Sequence, residues 1–136
     1  MNKNQIIEAF NKHMMEFITD VERVFPNDME IKATRKSLSK SFMLMPKAII
    51  RMFYDNFVLI YGNEIDKGDL TFFIDNDYVA KHETDLKDDV SLIDKINELR
   101  EPVRNMTDAD KANVVQYLKN LKQLAELYSI IRKGKN

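Results

Sequence analysis

Cysteine and tryptophan are both missing from this 136-residue chain, and glycine and proline occur three times each. Without cysteine there is no disulfide framework, no thiolate nucleophile and no cysteine-ligated metal site. So few backbone breakers argue for helices rather than short strands joined by turns. No apolar run approaches the roughly 18 residues that a membrane-spanning helix needs. The N-terminal stretch "MNKNQIIEAFNKHMM" carries charges within its apolar positions, unlike a signal peptide. A soluble intracellular protein with no membrane partner is therefore expected. At this length one domain can bury a working core without a metal or cross-link.

The chain is 44% hydrophobic and 32% charged, with a formal net charge of −1. That near-neutrality hides a division. Residues 1–54 carry +3, residues 55–101 carry −8, and residues 102–136 carry +4. Such asymmetry favours charge-guided contacts, within the molecule or with a partner.

Helical periodicity is clearest at the two ends. Ile6, Ile7, Phe10, Met14, Phe17, Ile18, Val21, Val24 and Phe25 recur at three- and four-residue steps until Pro26. Asn27, with Glu30 completing a capping box, is expected to start a second helix with a narrow stripe of Ile31, Leu38, Phe42 and Met45. Pro46 is expected in the first turn of a third helix. Its sequence "AIIRMFYDNFVLIY" is apolar nearly all round, as in a buried central helix. Gly62 and Gly68 offer stops, and Asp69 can cap a short turn over Leu70, Phe72 and Phe73. The polar, acidic run from Asn76 to Asp89 reads as a surface loop, followed by a helix from about Val90 with Leu92, Ile93, Ile96 and Leu99 inward, which Pro102 ends or kinks. Thr107 caps the last helix, with Asp110 at its third position and an inward stripe of Val114, Val115, Leu118, Leu121, Leu124, Ala125, Tyr128 and Ile131. The whole predicts an all-α, single-domain bundle of five or six helices with one acidic loop, spanning residues 1–136.

Few residues carry a chemical signature. Asp75 and Asp77 begin like a calcium loop, but Ala80 and Leu86 stand where glycine and glutamate are required. His13 and His82, the only histidines, have no second ligand at metal spacing. No Ser–His signal points to a nucleophile, and "GKN" near the end lacks the rest of a phosphate loop. Neither an enzymatic activity nor a cofactor is expected.

Between Glu30 and Asp55 there is no acid. On a helix, Lys32, Lys36 and Lys40 share the side opposite Ile31, at about 100° per residue. This face is the candidate site for a partner or a phosphate. A solvated helix surface is the simpler use of the same charges. Lysine contact with nucleic acid would be non-specific and salt-sensitive. Arg100, Pro102, Arg104 and Thr107 form a candidate structural corner. There Pro102 ends or kinks a helix, and the arginines can bond helix-terminal carbonyls or the acidic loop. Eight methionines suit either a helical core or an adaptable binding surface. Ile7 and Met15 suit either a dimer seam or the edge of a wide core stripe.

The runs "LREPVRNM" (Leu99 to Met106), "VVQYLKNLKQLAELY" (Val114 to Tyr128) and "GDLTFFIDNDY" (Gly68 to Tyr78) follow one another as in a known group. With Phe10, His13, Phe17, Asp20 and "VFP" at Val24–Pro26, the chain resembles small uncharacterised helical proteins of nucleocytoplasmic large DNA viruses of algae and amoebae. That resemblance implies a viral protein made in the cytoplasm of an infected eukaryotic cell, and a place in the virion. It implies no catalytic residue. Together these readings favour a non-enzymatic interaction or structural protein whose partner is a protein (self, viral or host). The alternative is a nucleic-acid-associated protein using the lysine face.

Overall fold

The structure, a computed structural model, describes residues 1–75 and 97–134, and all regular structure among them is helical. The acidic loop expected over 76–89 and the helix expected from Val90, apart from its last residues, lie outside the described residues.

Helix α1 spans Lys3–Val24. Asn2 opens it with a reciprocal capping box, in which Asn2 and Gln5 each bond the other's backbone N–H at 2.9 Å. It ends because a residue before proline is pushed out of the helical region: Phe25 stands at φ −125°, ψ 67°. Helix α2, Met29–Leu44, ends in the same way, with Met45 at φ −139°, ψ 69° before Pro46. Asp28, not Asn27, caps α2; its carboxylate accepts from the N–H groups of Glu30 and Ile31. The cap one residue later leaves Asn27 in the turn. Pro46 likewise falls in the turn before the third helix rather than within it.

The expected third helix is three pieces. Helix α3, Ala48–Phe53, runs into a π-helical turn, Tyr54–Val58, and then α4, Leu59–Lys67. The π turn inserts one residue into the helical repeat. Asn56 is buried there, and its amide donates to the Met52 carbonyl at 3.0 Å. A second irregularity follows at Tyr61, φ −118°, ψ 19°. Phe53 and Phe57 stack inward at 5.5 Å, while Leu59 and Ile60 are exposed. The run is apolar nearly all round, yet Arg51 is exposed in its first half and the chain leaves the core again after Val58. Gly62 stops nothing: it lies inside α4, where an added Cβ would sit 3.3 Å from the Lys122 side chain. Gly68 does end the helix, in the left-handed conformation.

Asp69 accepts from the Thr71 N–H at 2.9 Å and starts α5, Thr71–Ile74. Helix α6 is Arg100–Arg104, and Pro102 lies buried within its first turn. A missing N–H is tolerated there, so Pro102 neither ends nor kinks the element it occupies. Helix α7 spans Asp108–Gly134, with Thr107 Oγ1 accepting from the Asp110 N–H at 3.2 Å.

The helices pack as one all-α bundle around a continuous core. Helix α1 lies antiparallel to α7: Lys3 reaches the Tyr128 ring, and His13 reaches Asn120. Helix α4 is antiparallel to α7 on another flank, Gly62 beside Lys122 and Gly68 beside Val115. Helix α2 folds back along α1, and α5 packs on α6. Ile7 belongs to the core, so it is the edge of a wide stripe rather than a seam.

The backbone at Gly68 gives a direct check. At φ +76° a Cβ is strained even though the space beside Val115 is ordinary. Gly68→Ala should lower stability by about 1–2 kcal/mol in urea denaturation. Gly134→Ala, with nothing within 4 Å of the new methyl, should leave it unchanged.

Candidate interaction face

Helix α2 buries one side and leaves the other bare. Ile31, Thr34, Leu38 and Ser41 are buried. Arg35 is tied down at the flank, its Nε donating to Glu22 of α1 at 3.0 Å. Lys36 and Lys40 are exposed, and Lys32 is half-buried beside them. None of these three lysines makes an ion pair among the described residues.

The lysines do not stand alone. Met29 is 72% exposed, Met43 81% and Leu44 74%, and Ala33 is exposed as well. At about 100° per residue, Met29, Lys32, Ala33, Lys36, Lys40, Met43 and Leu44 fall within an arc of roughly 120°. The outward face is thus basic and apolar together. Met43 and Leu44 project at the α2–α3 corner, one helical turn beyond Lys40. Exposed Lys47 follows in the turn, and exposed Arg51 lies one helical turn after Lys47. The neighbouring methionines are less exposed: Met45, just after α2, is half-buried and Met52 on α3 fully buried.

Of the second candidate set, Arg104 ties two helices together, and Thr107 caps α7. Arg104 donates to the Ile74 carbonyl at the end of α5 at 2.7 Å and to Glu101 at 2.5 Å, and stands 3.6 Å from Asp75. It joins α6 to α5 through a helix-terminal carbonyl. Arg100 and Pro102 instead line a shallow depression with Asp28, Glu30, Glu98 and Glu101. These acids form no ligand set: no group of three His, Cys, Asp or Glu fit to hold a metal occurs among the described residues.

The remaining chemistry is spent on holding helices together. Between α1 and α7 the Tyr117 hydroxyl donates a short hydrogen bond to Asp20, which also faces Arg23 at 3.5 Å. The His13 ring packs on Tyr117 at 4.9 Å, with Nδ1 3.4 Å from Glu16 and Nε2 3.3 Å from Asn120. Burial, the Asp20 hydrogen bond and the Asp20 charge lift the Tyr117 hydroxyl to about 12. Across α4 and α7, Lys122 bonds Asp66 and Glu126, each at 3.2 Å. Burial alone would lower its pKa, but those two hydrogen bonds and charges raise it. The core encloses a cavity of about 20 Å³ lined only by apolar side chains, Phe53, Phe57 and Phe72 among them. That is room for about one water molecule and for no cofactor.

Sequence periodicity brings the three lysines to one face. It misses the Met29, Met43 and Leu44 companions, although the same wheel places them there. Nothing in the sequence could pair Tyr117 with Asp20 across 97 residues. Comparison with protein-family models, curated proteins and solved structures finds no match.

A phenol whose pKa rises on folding stabilises the fold while it stays protonated. The Tyr117 contribution is therefore full below pH 10, its ordinary value, and is lost as pH climbs through about 12. Tyr117→Phe should lose about 1 kcal/mol at neutral pH. The difference between wild type and variant should then shrink from pH 10 upward, as followed by urea denaturation at stepped pH. A difference that stays constant to pH 12 would contradict the assignment.

Proposed function

We propose that the protein is a non-enzymatic interaction protein that docks on an anionic partner through the outward face of α2. One observation carries this reading. Lys32, Lys36 and Lys40 lack ion pairs among the described residues, and they share their face with Met29, Met43 and Leu44, three of the most exposed large apolar side chains. Unpaired like charges on a helix surface are ordinary. Exposed apolar residues interleaved with them make a surface with something to bury. The polar clusters elsewhere support the non-enzymatic reading, since their groups are engaged in joining α1 to α7 and α4 to α7.

Nucleic acid is the second reading, supported by the three cations alone. Lysine ammonium groups meet a phosphate backbone as point charges, without reading base sequence. On the sequence resemblance we also propose a viral origin and a place in the particle. Detection of the chain inside purified virions tests that, and its confinement to the infected-cell cytoplasm would contradict packaging.

Docking predicts charge- and salt-dependent binding. If the three lysines engage duplex DNA, raising monovalent salt from 50 to 200 mM should weaken binding about 40-fold. Lys36→Glu with Lys40→Glu should abolish it in fluorescence anisotropy. Failure to bind DNA, polyglutamate or anionic vesicles at low salt would end the docking reading altogether.

A further inference from the structure

We propose that the α2–α3 corner binds the surface of an anionic lipid bilayer, with Met43 and Leu44 inserted below the phosphates and Lys36, Lys40, Lys47 and Arg51 at their level. This rests on the docking reading above and names the occupant of the same face.

The shape of the corner comes first. Met43 and Leu44 are adjacent, large, and 81% and 74% exposed at a helix end. They project from the surface and line neither the apolar core cavity nor the Arg100–Pro102 depression described above. A projecting apolar pair needs a medium that yields around it, which a bilayer interface does. The charge is the second observation. From Ile31 to Tyr54 every ionisable side chain other than Tyr54 is cationic, and Lys36, Lys40, Lys47 and Arg51 are exposed. An anionic leaflet attracts each such cation, by about fivefold in partition per residue near the surface. The third is vertical order. Lysine stems can lie along apolar surface while their ammonium groups stay in the headgroup layer, so one face can serve both depths.

Other occupants fit less of this. A nucleic acid backbone would use the cations and leave Met43 and Leu44 with nothing to bury against. A second copy meeting face to face would set lysine against lysine. The absence of any membrane-spanning helix among the described residues does not bear on surface binding, which needs no span.

The test is co-flotation of the full chain with vesicles at low salt. One set is phosphatidylcholine alone, and the other contains about a third phosphatidylserine, enough for a strong negative surface potential. Wild type should float with the anionic vesicles only. Met43→Ser with Leu44→Ser should lose at least tenfold in partition while duplex DNA binding, if any, is unchanged. Lys36→Glu with Lys40→Glu should lose at least tenfold as well. All four positions are exposed, so circular dichroism should show intact helices in both variants. Because the chain has no tryptophan, Leu44→Trp supplies a single fluorescent reporter, and its emission should shift to the blue on anionic vesicles. Anionic vesicle binding that survives Met43→Ser with Leu44→Ser, or a reporter emission that does not move, would overturn insertion. Binding to DNA or polyglutamate without vesicle binding would overturn the lipid proposal and leave the docking reading standing. No binding to any of the three would remove both.

Discussion

Because α1 and α7 are the two longest helices among the described residues and lie antiparallel, their shared interface frames the shorter described elements packed on it. Phe10, Met14, Phe17 and Ile18 from α1, and Val114, Leu118, Leu121 and Ala125 from α7, are all buried. Each fully buried large side chain of this kind is worth about 1.5–3 kcal/mol. Burial alone does not fix the sliding register of two long helices. The part-buried Tyr117–Asp20 hydrogen bond and His13–Asn120 contact favour one register, because a slide would break both pairings. Once the pair is fixed, α4 is held against α7 through Lys122, and α2 against α1 through Arg35 and Glu22.

The same constraint explains why α2 has a spare face. Its inner side meets the rest of the bundle through a narrow strip of Ile31, Thr34, Leu38 and Ser41, two of which are polar. The helix is short and is stopped by the pre-proline strain at Met45. Phe42 still packs against the core at the edge of that strip, but the remaining large apolar residues, Met29, Met43 and Leu44, point away from it. In α1 the apolar residues nearly all find the interior; in α2 Met29, Met43 and Leu44 do not. An outward face that mixes methionine, leucine and lysine without acids is a poor solvated surface and a good docking one.

Much of the bundle was readable from spacing and breakers. The stripes of the first and last helices, the stop after Phe25, the cap at Thr107 and the left-handed end at Gly68 are local effects, and local sequence contains them. Where the reading failed, a neighbour decided. Asn27 and Asp28 are near-equal caps, and the turn geometry selected Asp28. The run "AIIRMFYDNFVLIY" looked like one buried helix, but a π turn interrupts it at Tyr54–Val58, and Leu59 and Ile60 beyond it are exposed. Pro102 looked like a terminator and instead occupies a first turn. The candidate face was half readable. The lysines follow from the helical repeat, whereas the exposure of Met43 beside the burial of Met52 depends on which side of each helix meets the bundle.

If docking is the role of this face, function and stability are nearly separate in this fold. The residues that hold the helices are engaged with one another, and the corner is tied to α1 through its backbone, where Asn11 donates to the Pro46 carbonyl at 3.0 Å, while the exposed side chains of Lys36, Lys40, Met43 and Leu44 stand outside the core. The most direct measurement is amide chemical-shift mapping of the isotope-labelled chain, titrated with phosphatidylserine-containing nanodiscs and, separately, with duplex DNA. Perturbations should concentrate between residues 29 and 51 and spare the α1–α7 interface. Perturbations centred on any other surface, or none with either titrant, would contradict the assignment of α2 as the docking face.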